Sequence, residues 1–170
     1  MELLDIYDAN RNRTGRVHRR WDRLSRGDYI LVVCVWVADD RGRLLLTLRA
    51  PEKNGCPNTW ENSGGAVKAG ETSRQAIARE LYEETGLRVE QSEFLLLESD
   101  RTRDTFYDFY FVRHPAPLEQ IVLQPGETAD ARWVTLDEME EMMDAGVVAP
   151  PIARRFQRHK SRLKELLGLV

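Results

Sequence analysis

At 170 residues and 42% hydrophobic content, the chain is long enough to bury a full core and short enough to be one domain over 1–170. Its 25 Lys and Arg against 28 Asp and Glu leave a formal charge of -3 with both signs mixed along the sequence, which excludes the broad basic field of a nucleic-acid-polymer or membrane binder. The longest apolar run, Tyr29 to Ala38, is far short of a bilayer span. Two cysteines without thiolate metal spacing, and no signal-peptide pattern, exclude a disulfide framework and suggest a reducing cytoplasm.

In chain order, Leu3 to Tyr7 reads as a strand and Asn10 to Gly15 as a turn, which makes an N-terminal hairpin or arm of about residues 1–27. Within it His18, Arg19, Arg20, Trp21 and Arg23 are basic and aromatic enough to cover the core or to meet phosphate. Tyr29 to Val37 is almost wholly apolar and β-branched, the pattern of a strand buried on both faces at the centre of a sheet. Asp39 to Gly42 then predicts a turn, and Arg43 to Arg49 the returning strand of a hairpin. Arg49 and Lys53 stand close in sequence to the glycine turn at Gly64 and Gly65.

The next segment is the most constrained. Thr72 with Gln75 three residues on forms a capping box, and Gly86 followed by Leu87 suits a left-handed cap, so a helix is defined at both ends. Ala76, Ile77 and Leu81 supply its apolar stripe. Glu80, Glu83 and Glu84, at i, i+3 and i+4, share a face at the helix C-terminus, where each carboxylate is disfavoured by roughly 0.3–1 kcal/mol before mutual repulsion. Arg79 pairs with Glu83 in the weaker orientation and does not account for the cluster, whereas a bound divalent cation with oxygen ligands would.

Beyond the helix, Arg88 to Glu98 predicts a strand and Thr105 to Val112 another, with Asp108 and Arg103 facing out or lining a pocket. His114 to Pro117 breaks that strand. A further strand with a Pro125-Gly126 turn leads through Glu127 to Ala131–Val134, Thr135 caps a helix to about Asp144, and Pro150-Pro151 opens a last amphipathic helix, about 151–168. In it Ile152, Phe156, Leu163, Leu166 and Leu167 form the docking stripe.

From Gly65 to Leu87 the sequence fits G-x5-E-x7-R-E-U-x-E-E-x-G-U, with U a bulky aliphatic, through Gly65, Glu71, Arg79, Glu80, Leu81, Glu83, Glu84, Gly86 and Leu87, and so resembles the signature of the Nudix hydrolases. The resemblance covers roughly Leu4 to Asp144. It implies an α/β (α+β) fold, an α/β/α sandwich around a mixed sheet, and hydrolysis of a diphosphate linked to another moiety by water activated on Mg²⁺ or Mn²⁺. Carried onto this chain, it implies Glu80, Glu83, Glu84 and the Gly64 carbonyl as metal ligands, and Arg79 as the group that orients Glu80. It makes Glu127 the leading loop candidate for the base, with Glu80 or Glu83 of the box as the alternative. Arg49, Lys53, Glu61 and Gly65, within L-x-x-R-x-x-x-K and W-E-x-x-G-G, are implied on the substrate side, which is a small diphosphate; monomer and homodimer both fit. The N-terminal region also resembles isopentenyl-diphosphate isomerases of the same fold, but Ser63 and Gly64 stand where the isomerase cysteine belongs, and Cys56 comes too early. A Nudix domain kept only for binding is the other alternative, although such domains generally lose box glutamates that are all present here.

Overall fold

The computed structural model describes residues 2–169 and has an α+β fold. Strands β1 (Leu3–Tyr7) and β2 (Arg13–Arg19) make a two-stranded sheet of their own. The other seven, β3 (Ile30–Ala38), β4 (Leu44–Arg49), β5 (Trp60–Glu61), β6 (Gly64–Ala66), β7 (Leu95–Arg101), β8 (Thr105–Arg113) and β9 (Thr128–Val134), share one mixed sheet. Its order is β5-β4-β3-β8-β7, with β6 paired to β3 and β9 to β4. The helices are α1 (Ser73–Thr85), α2 (Leu136–Asp144) and α3 (Pro150–Leu167). As its apolar run requires, β3 lies in the middle of the order, with Leu31 and Val33 to Ala38 buried. The chain divides into two compact units: one gathers the residues up to Val35, Gly64–Tyr82 and Arg88–Phe111, the other Trp36–Ser63, Glu83–Leu87 and the residues from Val112 on.

In the first unit β1 and β2 pair antiparallel from Leu3↔Arg19 to Tyr7↔Arg13. The turn between them is shorter than the Asn10 to Gly15 expectation because Asp8 closes it early: its Oδ1 accepts from the amides of Asn10 and Asn12 at 2.8 and 2.9 Å. Strands β7 and β8 pair antiparallel from Leu95↔Phe111 to Arg101↔Phe106. Strand β7 starts later than the sequence suggests, since Gln91–Glu93 form a 3₁₀ turn in which Glu93 reaches back to the Glu90 amide at 3.0 Å. Asp108, expected at a surface or pocket, is instead buried at 2% exposure inside the aromatic strand β8. Burial opposes its ionisation, but Arg11 at 2.5 Å, Ser73 at 2.5 Å and Ser99 at 2.6 Å donate to it and hold its pKa below the ordinary value. Ser73 spends its proton on Asp108, so Tyr110 is the donor in the 2.8 Å contact between their hydroxyls.

In the second unit β4 pairs with β9 from Leu44↔Val134 to Arg49↔Thr128 and with β5 at Thr47↔Glu61 and Leu48↔Trp60. The hairpin expected between β3 and β4 is reduced to the pair Ala38↔Leu44, because Val32, Val33 and Cys34 of β3 pair instead with β6. Its turn forms as expected, with Asp39 accepting from the amides of Arg41 and Arg43 at 2.9 and 2.8 Å. Before β9 the chain makes a 3₁₀ turn at Leu118–Gln120. Helix α2 begins with the Thr135–Glu138 capping box. Helix α3 buries Ile152, Phe156, Leu163 and Leu167. It also buries His159, whose Nδ1 accepts from the Trp36 indole at 3.1 Å, and this histidine belongs to the docking face that apolar periodicity did not reveal. No helix among the described residues is long and apolar enough to cross a membrane.

Candidate active site

Helix α1 forms as its caps dictate: the Thr72 amide donates to Gln75 at 2.8 Å, and the Gln75 amide to the Thr72 hydroxyl at 3.2 Å. Gly86 ends it with φ +74°, where a side chain would be strained. Ala76, Ile77 and Leu81 are fully buried, worth roughly 1.5–3 kcal/mol for each of the two larger side chains, so the helix is docked by the stripe that its spacing predicts. One turn apart on the same docked side as Ala76, Glu80 is only 7% exposed, an expensive place for a carboxylate unless it is served by partners.

Those partners are in the first unit. Arg79 donates through Nη1 to Glu80 at 2.7 Å, through Nε and Nη2 to the two oxygens of Glu71 at 2.7 and 2.9 Å, and through Nη2 to the Ala66 carbonyl at 3.1 Å. Burial works against the Arg79 charge, but Glu71 and Glu80 outweigh it and raise the guanidinium pKa further above its ordinary value. Burial likewise opposes ionisation of Glu71, yet the bonds from Arg79 and from the Lys68 amide at 3.0 Å leave its carboxyl below the usual range. Strand β6 approaches from the other side. A Cβ on Gly65 would meet the Cδ and both oxygens of Glu80 at under 3.0 Å, and one on Gly64 would meet the Val33 carbonyl as closely. Both positions therefore need glycine for proximity alone.

Glu83 and Glu84 follow Glu80 at i+3 and i+4 on α1, both half-buried. The C-terminal carbonyls of the helix are served within the second unit, Thr85 by the Val122 amide at 2.8 Å and Glu84 by the Thr128 hydroxyl at 3.4 Å. Among the described residues no three His, Cys, Asp or Glu side chains are gathered around a cation position. Like charges without a cation between them repel, and Glu80 is drawn onto Arg79. The donor set nonetheless fits a hard divalent ion: three carboxylates on one helix face, the first of them lying against the glycine strand.

The other sequence-predicted residues meet in the second unit. Arg49 Nη1 donates to both oxygens of Glu61 at 2.8 and 3.0 Å, while its Nε reaches the Gly55 carbonyl at 3.1 Å. Lys53 pairs with Oε2 of Glu127. Expected to face a diphosphate, the two bases are thus held by two acids, an outcome that spacing could not disclose because the partners are far apart in sequence. The pairs form one charge group: burial, with help from Glu127, raises the Glu61 pKa against the opposing pull of Arg49 and Lys53. Sequence reasoning missed Arg11, Asp108 and Ser73 as a buried network at the first turn of α1. An aspartate inside an aromatic strand was the available signal.

The sequence pattern of the NUDIX domain matches residues 28–156. An uncharacterized Nudix hydrolase of Listeria monocytogenes is 36% identical over 151 residues, 88% of this chain and 89% of that protein. An isopentenyl-diphosphate Delta-isomerase of Enterobacter is 31% identical over 116 residues, 65% of this chain and 63% of that one. A crystal structure from Deinococcus radiodurans superposes with a TM-score of 0.77 at 25% identity, covering 92% of this chain and 98% of that chain, and has the α+β fold with a mixed sheet that the resemblance implied.

Proposed function

The chain belongs to the Nudix hydrolase family, and from that premise we propose that it cleaves the diphosphate linkage of a small organic diphosphate with the help of Mg²⁺ or Mn²⁺. Glu80, Glu83, Glu84 and the Gly64 carbonyl would hold the cation, an all-oxygen set suited to either ion. When bound, the cation supplies the positive charge that lets a diphosphate approach three carboxylates and the acidity that makes water nucleophilic at neutral pH. Arg79, anchored on Glu71, aims and partly neutralises Glu80. Glu127 takes the proton of the attacking water: Oε2 carries Lys53, while Oε1 accepts no hydrogen bond among the described residues. Both oxygens of Glu61 are engaged by Arg49, which suits it to holding that base beside the substrate. Water oxygen bonds to phosphorus, the bridging P–O bond breaks, and the leaving oxygen departs on a phosphate or phosphate ester.

The observation that carries this reading is the seating of Glu80 between Arg79 and Gly65, a buried carboxylate fixed in direction with space that only glycine leaves. A screen of nucleoside triphosphates, nucleotide sugars, dinucleotides and isoprenoid diphosphates with Mg²⁺ and Mn²⁺ tests it. Metal-dependent release of phosphate or diphosphate from a member of the panel is the expected result, and metal uptake with no turnover of any member would leave a binding domain. The isomerase similarity supports a second reading, but Cys34 is buried beneath Gly64 and Cys56 sits in the 50–59 loop.

A further inference from the structure

We propose that the β1–β2 hairpin is a brace for the loop that enters α1, with Asp5 and Arg13 as positioning residues for Glu80; the inference rests on the metal-site reading above. The hairpin lies before residue 28, where the NUDIX pattern begins, so it is an addition whose purpose that pattern does not supply. Its contacts fall on four consecutive residues of the loop. Leu4 bridges Lys68, the Leu3 carbonyl accepts from the Ala69 amide at 2.8 Å, Asp5 Oδ2 accepts from the Gly70 amide at 2.9 Å, and Arg13 donates to the Glu71 carbonyl. Arg13 also pairs with Asp5 at 3.3 Å, which joins the last two contacts into one unit.

Holding Glu71 is consequential because its carboxylate accepts two bonds from Arg79, and Arg79 in turn donates to Glu80. The order of dependence is Asp5 and Arg13, then the backbone at Gly70 and Glu71, then Arg79, then the carboxylate of Glu80. A second tie fixes the start of the helix: Arg11, at the hairpin turn with φ +65°, reaches Asp108, which also holds Ser73, the first residue of α1. A hairpin that merely shielded apolar surface would have no need of polar contacts on Ala69, Gly70 and Glu71 in turn. Outer groups that orient ligands commonly change metal affinity about 10–100-fold when removed.

The experiment counts free Mn²⁺ by electron paramagnetic resonance during titration of the full chain, alongside melting temperature and, at saturating Mn²⁺, kcat and KM. Arg13→Ala and Asp5→Ala should raise the Mn²⁺ dissociation constant about 10-fold with substrate KM little changed, and Arg13→Lys should recover part of the loss. Arg16→Ala is the control. It removes the bidentate pair of Arg16 with Asp28 at 2.6 and 2.9 Å from the same hairpin without touching the loop, and it should leave Mn²⁺ affinity as in the wild type even if the melting temperature falls. Equal losses of affinity in Arg13→Ala and Arg16→Ala, or none in Arg13→Ala and Asp5→Ala while the wild type binds Mn²⁺, overturn the brace alone. Wild-type protein that takes up no Mn²⁺ overturns the metal-site reading and the brace with it.

Discussion

The carboxylate of Glu80 rests directly on the backbone of Gly65, leaving no room for a Cβ at that position. Gly65→Ala must therefore move Glu80 or bend β6, since the obstructing group is the far end of a side chain already pinned by Arg79. Glu80 would give way, and a shift of about 1 Å in a ligand or reacting group can cost about 10²-fold in rate. Expected is that fall in kcat with a weaker metal requirement curve and a melting temperature close to that of the wild type. A fully active Gly65→Ala variant would detach Glu80 from the chemistry.

The acids at the end of α1 oppose each other and the helix dipole, so removing their charge and binding a cation should act in the same direction on stability. Without metal, the Glu83→Gln, Glu84→Gln double variant should melt above the wild type. With Mg²⁺ or Mn²⁺ at about 100 times its dissociation constant, wild type should gain about 2.7 kcal/mol, and the variant should gain little. Chelator should abolish hydrolysis and either ion restore it, with Zn²⁺ serving poorly for an all-oxygen set. Melting curves that ignore both the metal and the substitutions would mark an ordinary solvated helix face.

Helix α1 was legible because each of its signals is local: Thr72 and Gln75 cap it, Ala76, Ile77 and Leu81 dock it, and Gly86 stops it within one short span. The helix at Leu136–Asp144 was equally plain from Thr135. What the sequence hid was partnership at long range. Arg49 with Glu61, Lys53 with Glu127, and Arg11 with Asp108 are settled by tertiary placement, and the pairing of β3 with β6 in place of an extended β3–β4 hairpin is a tertiary choice with no local mark. His159 escaped for a related reason, as a polar residue joins an apolar stripe only once its partner, Trp36, is known.

The two acids of the second unit should separate by pH. Glu127→Gln should lower kcat by about 10²–10⁴-fold if it is the base. Glu61 has its pKa raised, so its carboxylate is lost as pH falls through a value above the ordinary glutamate level of about 4.3, and Arg49 then loses its partner. The acid limb of the pH–rate profile should accordingly include a step above that level, and Glu61→Gln should remove that step, leaving the limb set by protonation of the base, at a smaller cost in rate than Glu127→Gln. If Glu127→Gln retained the wild-type rate while Glu80→Gln lost it, the base would belong to the box.

Asp108 offers a test of stability. Its folded pKa is depressed below the unfolded value of about 3.9, so its contribution is fully present above that value and is lost as pH falls through the folded pKa. Asp108→Asn should be destabilised at pH 7, because Arg11 loses its carboxylate, but by less than the about 3–5 kcal/mol of a fully buried pair, since the Arg11 side chain is 33% exposed and keeps part of its water. In acid the gap between variant and wild type should narrow. A gap independent of pH from neutrality to well below pH 3.9 would mean that the charge of Asp108 does not support the fold.

The remaining prediction separates hydrolysis from isomerisation, which the similarity to an isopentenyl-diphosphate isomerase makes worth measuring. If water attacks phosphorus, reaction in ¹⁸O water must place label in a phosphate product, because the new P–O bond is made with solvent oxygen. Isomerisation moves a proton on carbon and leaves every P–O bond intact, so it cannot. The cysteines give an independent reading. Cys34 is buried where β3 pairs with Gly64, and Cys56 lies in the 50–59 loop with φ +49°, so Cys34→Ala and Cys56→Ala should each leave hydrolysis nearly unchanged. Glu80→Gln should lower turnover by at least ~10²-fold, since it removes a charge from the ligand set proposed for the cation. Conversion of isopentenyl to dimethylallyl diphosphate, without labelled phosphate and with dependence on either cysteine, would overturn the reaction class. Labelled phosphate with both cysteines dispensable would confine the chemistry to the carboxylates.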